Sequence, residues 1–131
     1  MSNKLLALVV EDHPDQAFVF ESALNKAGFE TEVYNDGQLA HQRLAEVTPD
    51  VIVLDLHIPH ISGEELLAQI RSDPRLAGMH VALATADARL AEKLERQAQM
   101  VLLKPVSFSQ LSGLMKRIGK RISESRVTAG S

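Results

Sequence analysis

The chain has 131 residues, no cysteine, 45% hydrophobic and 24% charged residues and a net charge of -3. This is the length and mixture of one globular domain that builds its core without disulfides, thiolate metal sites or a structural metal. The acidic balance argues against a nucleic-acid-binding face, and the apolar run Leu5–Val10, closed directly by Glu11 and Asp12, is too short for a membrane span or signal peptide.

Apolar runs of strand length alternate with stretches of helical period. Leu5–Val10 reads as a central strand, apolar on both faces. Pro14 suits the first turn of a helix whose apolar stripe is Phe20, Ala23, Leu24 and Ala27, and Gly28 stops it. Phe29–Tyr34 alternates apolar and polar residues as an edge strand does, and a second helix covers about Asp36 to Glu46. Val51–Leu54 is a buried strand ending at Asp55. The loop Leu56–Ile61 follows, and Ser62 with Glu65 has capping-box spacing for a third helix that Asp73-Pro74 ends. His80–Ala84 is a fourth strand, Ala88–Gln97 a weaker fourth helix and Met100–Leu103 a fifth strand. Ser107 and Gln110 repeat the cap spacing before a last helix carrying Leu111, Leu114, Met115, Ile118 and Ile122, weakened by Gly113 and Gly119. The expected domain is 1–122. Residues 123–131 are expected to form a short frayed tail, too short to be an output domain.

Five strands alternating with five helices through short connections imply a parallel sheet covered on both faces. A flavodoxin-like (βα)5 doubly wound sheet of order 2-1-3-4-5 is the expected architecture, with ligands at the carboxyl ends of the strands beside the switch point. The unusual residues collect there. Strand one ends at Glu11 and Asp12, strand three at Asp55, strand four at Thr85 and strand five at Lys104. Three neighbouring carboxylates repel one another and raise their own pKa values. A hard divalent cation such as Mg2+ resolves this. Thr85 and Lys104 add one neutral and one cationic donor on the far side of Asp55. The set suits phosphoryl transfer to a carboxylate nucleophile, a reaction that needs mostly positioning and electrostatics.

Glu11-Asp12 after an apolar strand, Asp55-Leu-His-Ile-Pro59 with Gly63 four residues on, Thr85-Ala86, and Lys104-Pro105 resemble, in order, the motifs of response-regulator receiver domains of two-component systems, the CheY-like family. The resemblance covers roughly Lys4 to Ile122. It implies that Asp55 is phosphorylated by a sensor histidine kinase, a histidine phosphotransfer protein or a small phosphodonor. It implies Mg2+ on Asp12, Asp55 and the backbone carbonyl of His57, with Glu11 close by or acting through water. Thr85 would hydrogen-bond the phosphoryl group and Lys104 would pair with it, through a peptide bond to Pro105 able to be cis. The implied function is a cytoplasmic phosphorylation switch rather than an enzyme, read by a downstream protein, with no direct nucleic-acid or membrane contact and with a homodimer available through the face of helix four, strand five and helix five. The chain would be either a stand-alone receiver or a module of a longer regulator. Three positions depart from the family pattern. Val101 occupies the switch position where an aromatic is usual, the fourth helix and its exit are short with no glycine before strand five, and Ile58 replaces a common methionine.

Plainer readings stand beside these. Any single acidic strand end is as often a solvated turn residue. Lys104-Pro105 alone is a strand terminator, and Thr85 alone a helix cap with Asp87 and Arg89 as surface charges. His57 and His60 read as exposed loop residues rather than a transition-metal pair, with His57 placed to tune access of water to Asp55. His13 lies beside the acidic pair, and His41 and His80 read as structural or solvated. The main competing function is a phosphorylation-independent pseudo-receiver that only binds partners. A phosphohydrolase resembling haloacid dehalogenases would need an aspartate where His57 stands, and a nucleotide module would need a glycine-rich loop after strand one.

Overall fold

Residues 6–10 can be buried on both sides, and they form the central strand β1 (Leu6–Val10). The computed structural model describes residues 4–130, with side chains described to residue 127. Chain order continues with α1 (Pro14–Lys26), β2 (Glu30–Tyr34), α2 (Gly37–Leu44), β3 (Val51–Asp55), α3 (Gly63–Ser72), β4 (His80–Thr85), α4 (Ala88–Leu94), β5 (Met100–Leu103) and α5 (Phe108–Gly130). The strands make one sheet of order β2-β1-β3-β4-β5, every pair parallel. This is the flavodoxin-like order expected from the sequence.

Strand periodicity divides the core into two layers. Ala7, Val9, Val51 and Val53 face α1 and α5, where they pack with Phe20, Leu24, Leu111 and Met115. Leu8, Val10, Ile52 and Leu54 face the other way and pack with Ala40, Leu66, Leu67, Ile70 and Leu94. Because β1 is flanked by β2 on one side and β3 on the other, the chain reverses its winding at the β1–β3 crevice.

Local chemistry sets most helix starts. The side chains of Asp36, Ser62 and Ser107 accept from the N–H groups of Leu39, Glu65 and Gln110 at 2.8, 3.1 and 3.1 Å. The cap of α4 is Asp87, which accepts from Arg89 and Leu90 at 3.0 and 3.1 Å, and not Thr85. The expected fourth helix is shorter than its sequence range, stopping at Leu94 before a tight 3-10 turn over Glu95–Gln97. Arg71 from α3 holds that turn, donating to the Gln97 carbonyl at 2.6 Å and to the Gln99 side chain at 3.0 Å.

The expected frayed tail after Ile122 is corrected. α5 stays helical to Gly130, and residue 131 lies outside the described residues. No proline or glycine interrupts residues 120–129, and Arg126 is tied to Asp50, whose second oxygen accepts the Leu6 N–H at 2.7 Å. An otherwise exposed helical turn is thereby anchored to the amino ends of β1 and β3.

His80 opens β4 half-buried, and its Nδ1 has no hydrogen-bond partner among the described residues. Burial, then the charges of Arg121 and Arg71, hold its pKa below the ordinary 6.5. The unfolded chain therefore takes up this proton more readily than the folded one. The contribution of His80 to stability is complete above pH 6.5 and is lost as pH falls below it. An imidazole NMR titration is expected to give a midpoint under 6.5, and His80→Gln to flatten that part of the stability–pH profile.

Candidate functional site

Register brings the site together. Val10 pairs with Leu54, so the residues that follow them, Glu11 and Asp55, emerge side by side at the carboxyl edge of the sheet. Both are buried, 1% and 4% exposed, while the neighbouring Asp12 is exposed. Carboxylate oxygens of Glu11, Asp12 and Asp55 lie within 4.8 Å of one another.

Lys104 compensates this charge. It follows β5, two strands from Asp55, and its Nζ reaches back to 3.3 Å from Asp55 Oδ2 and 2.7 Å from Glu11 Oε1. The peptide bond from Lys104 to Pro105 is cis. Burial, then the hydrogen bond with Asp55, pushes the Glu11 carboxyl up to about 7, against the pull of Lys104. Burial is the largest single influence on the Lys104 ammonium and lowers its pKa, but the hydrogen bonds and charges of Glu11 and Asp55 together outweigh it and raise the lysine's pKa. Sequence reasoning placed Lys104 opposite a phosphoryl group. It missed the bond to Glu11, which joins residues 93 positions apart and leaves no local signal.

The remaining predicted residues surround this cluster. The His57 N–H donates to Asp55 Oδ1 at 3.1 Å, which aims one carboxylate oxygen from the loop, while the His57 side chain is exposed. Thr85 is one residue beyond Ala84, the register partner of Asp55. It is fully buried, and its hydroxyl accepts the Asp87 N–H at 3.0 Å. Val101 is half-buried and packs on the layer beneath α2, α3 and α4. His60, also exposed, has a left-handed φ of 69° and sits 3.6 Å from Asp36.

Two glycines, whose tight packing sequence reasoning did not see, close the loop after Asp55. A Cβ on Gly63 would lie 2.4 Å from the Asp55 carbonyl oxygen, and one on Gly37 would lie 1.9 Å from that of Ile61. Ser62 caps α3 immediately before Gly63. Ser62→Ala is expected to cost about 1 kcal/mol in urea unfolding without moving the Asp55 carboxylate.

A doubly wound parallel module with a buried, lysine-compensated acidic cluster at its switch point is thus defined. The chain belongs to the response regulator receiver domain family, whose family model matches residues 7–116. It is 32% identical over 127 residues to an uncharacterized response regulatory protein of Vibrio parahaemolyticus, covering 95% of this chain and 51% of that one. The chain thus spans about half the length of this relative. Among solved structures it is similar to the signal receiver domain of a signal transduction histidine kinase from Syntrophus aciditrophicus, with TM-score 0.79, 30% identity and coverage of 90% and 92% of the two chains. It is also similar to the receiver domain of sensor histidine kinase PA1611 from Pseudomonas aeruginosa, with TM-score 0.78, 25% identity and coverage of 88% and 98%. That structure has a magnesium ion coordinated in its active site cleft. The protein is therefore a receiver domain of two-component signalling, a class of switches that interact with histidine kinases and phosphotransfer proteins. Among the described residues no helix is long and apolar enough to cross a membrane.

Proposed function

We propose that Asp55 accepts a phosphoryl group from a sensor histidine kinase, a histidine phosphotransfer protein or a small phosphodonor. A carboxylate oxygen of Asp55 forms the new bond to phosphorus, and the donor's bond to phosphorus breaks, its electron pair leaving with the donor. The single observation that supports this best is the buried Asp55 carboxylate held 3.3 Å from the Lys104 ammonium, beside two further carboxylates. Lys104 would turn from the two carboxylates to a phosphoryl oxygen, and the Thr85 hydroxyl would hydrogen-bond another.

The donor set fits a hard cation, since all three side chains offer carboxylate oxygen within 4.8 Å. Asp12, Asp55 and the His57 carbonyl would hold Mg2+, with Glu11 adjacent. When bound there, the ion neutralises charge on the phosphoryl oxygens. Phosphorylation would then shift a two-state equilibrium in the loops around Thr85 and Lys104. With Val101 at the switch position, this shift is read through packing rather than through an aromatic ring. The face of α4, β5 and α5, where Leu103 is 52% exposed, is the surface assigned to a downstream protein or a second copy. The setting is cytoplasmic, where the phosphodonors are, with no direct role for nucleic acid.

Incubation with acetyl phosphate and Mg2+ is expected to add one phosphoryl group to the intact mass. Asp55→Asn and an EDTA-treated sample are both expected to add none. No gain from acetyl phosphate, phosphoramidate or beryllofluoride, with Mg2+ binding intact, would leave the phosphorylation-independent interaction module as the function.

A further inference from the structure

The amino end of the sheet, opposite Asp55, carries a second charged feature that the receiver chemistry does not use. A hollow of about 510 Å3 lies between α5, the β3 entrance and the β4 entrance, and Arg75, Arg121, Arg126, Asp50 and His80 are among its lining residues. Its volume falls within the ~300–1,000 Å3 common for small-molecule sites. Three arginines face one aspartate, in a chain whose overall charge is -3. Asp73 pairs with Arg75 and Asp50 with Arg126, which leaves Arg121, among the described residues, as the uncompensated positive charge here in a chain that is negative overall.

The arginines keep hydrogen-bonding capacity in reserve. Arg75 donates through Nη2 to the Leu44 carbonyl and to Asp73, and Arg126 donates through Nη2 to Asp50. A guanidinium has five N–H donors, so each retains several. Arg121 is exposed and makes no hydrogen bond or ion pair among the described residues. His80 is also among the lining residues, with its Nδ1 buried away from solvent. Met79, Ile122 and Pro49 supply apolar wall between these groups.

We propose that this hollow binds a small, multiply charged anion bearing phosphate or carboxylate groups, held by the guanidinium forks of Arg121, Arg126 and Arg75. Forked, charge-assisted hydrogen bonding suits both kinds of oxyanion. The small volume and the apolar wall favour a compact metabolite over an extended acidic peptide. Such a ligand would tie the last turns of α5 to the entrances of β3 and β4, a second input at the end of the sheet remote from Asp55.

The test is a ¹⁵N NMR titration of the full chain in EDTA at constant ionic strength, with inorganic phosphate in one arm, citrate in another and chloride as reference. Saturable shifts are expected at the amides of Asp50, Gly78, Met79, His80 and Ser125 with at least one of the two oxyanions. The stronger arm tells phosphate from carboxylate. Arg121→Glu is expected to weaken binding by about tenfold or more while leaving the remaining spectrum in place. Gly78→Leu is a second variant that fills open space, since nothing lies within 4 Å of a Cβ built there. It is expected to block binding without loss of fold. Drift that matches chloride in both arms would overturn the proposal. So would shifts confined to Glu11, Asp55 and Lys104, or unchanged binding in folded Arg121→Glu.

Discussion

Gly63→Ala is expected to destabilise the domain by about 3 kcal/mol, at the upper end of ordinary overpacking. It is also expected to impair the Asp55 site more than its distance from the carboxylate suggests. The added Cβ would stand 2.4 Å from the Asp55 carbonyl oxygen and 2.5 Å from the Leu56 Cα. Both are main-chain atoms of the segment that carries Asp55, so no side-chain rotation relieves the clash. Either α3 moves off the sheet, exposing Leu66 and Leu67 from their buried layer, or the β3 end shifts and takes the carboxylate with it. Urea unfolding would read the stability loss, and Mg2+ titration would read the site. A Gly63→Ala protein with unchanged unfolding midpoint would show that the loop yields more easily than its packing indicates.

Lys104→Met is the second large perturbation. Removing the ammonium leaves the buried carboxylates of Glu11 and Asp55 without their cation, previously at 2.7 and 3.3 Å. Breaking a fully buried pair costs about 3–5 kcal/mol. The Lys104 side chain is 20% exposed, and Glu11 already holds its proton up to about pH 7, which relieves part of the repulsion. A loss of roughly 2 kcal/mol is therefore expected in the absence of metal. Millimolar Mg2+ should restore more stability to this variant than to the parent, because only the variant lacks a cation. Acceptance of a phosphoryl group should slow by roughly tenfold or more, the scale of losing one charged donor aimed at the transferring group. An unchanged phosphorylation rate would remove Lys104 from the chemistry and leave it a purely structural counter-ion.

Much of this site is legible along the chain because each part sits where a strand stops. Glu11, Asp55, Thr85 and Lys104 follow or end apolar runs, and parallel register then forces them to one edge. The caps at Ser62 and Ser107 are equally local, since an oxygen three residues ahead of an N–H needs no tertiary context. What was not legible depends on distant contact. The tight approaches at Gly37 and Gly63 exist only once α2 and α3 dock on the loop after Asp55. The reach of Lys104 to Glu11 crosses the sheet. The continuation of α5 past Ile122 rests on Arg126 meeting Asp50, and neither residue announces the other in a polar-looking segment. The fourth helix shortens for a similar reason, with Arg71 of another helix fixing the turn that follows it.

The most direct test of the phosphorylation reading is to locate the phosphoryl group. The protein would be treated with phosphoramidate and Mg2+, reduced with borohydride, which converts an aspartyl phosphate to homoserine, and mapped by peptide mass spectrometry. Homoserine is expected at position 55 alone, and in none of the peptides of an untreated sample. Phosphoryl group uptake with homoserine at Asp12 instead, or with modification confined to a histidine, would contradict the assignment of Asp55 as the acceptor.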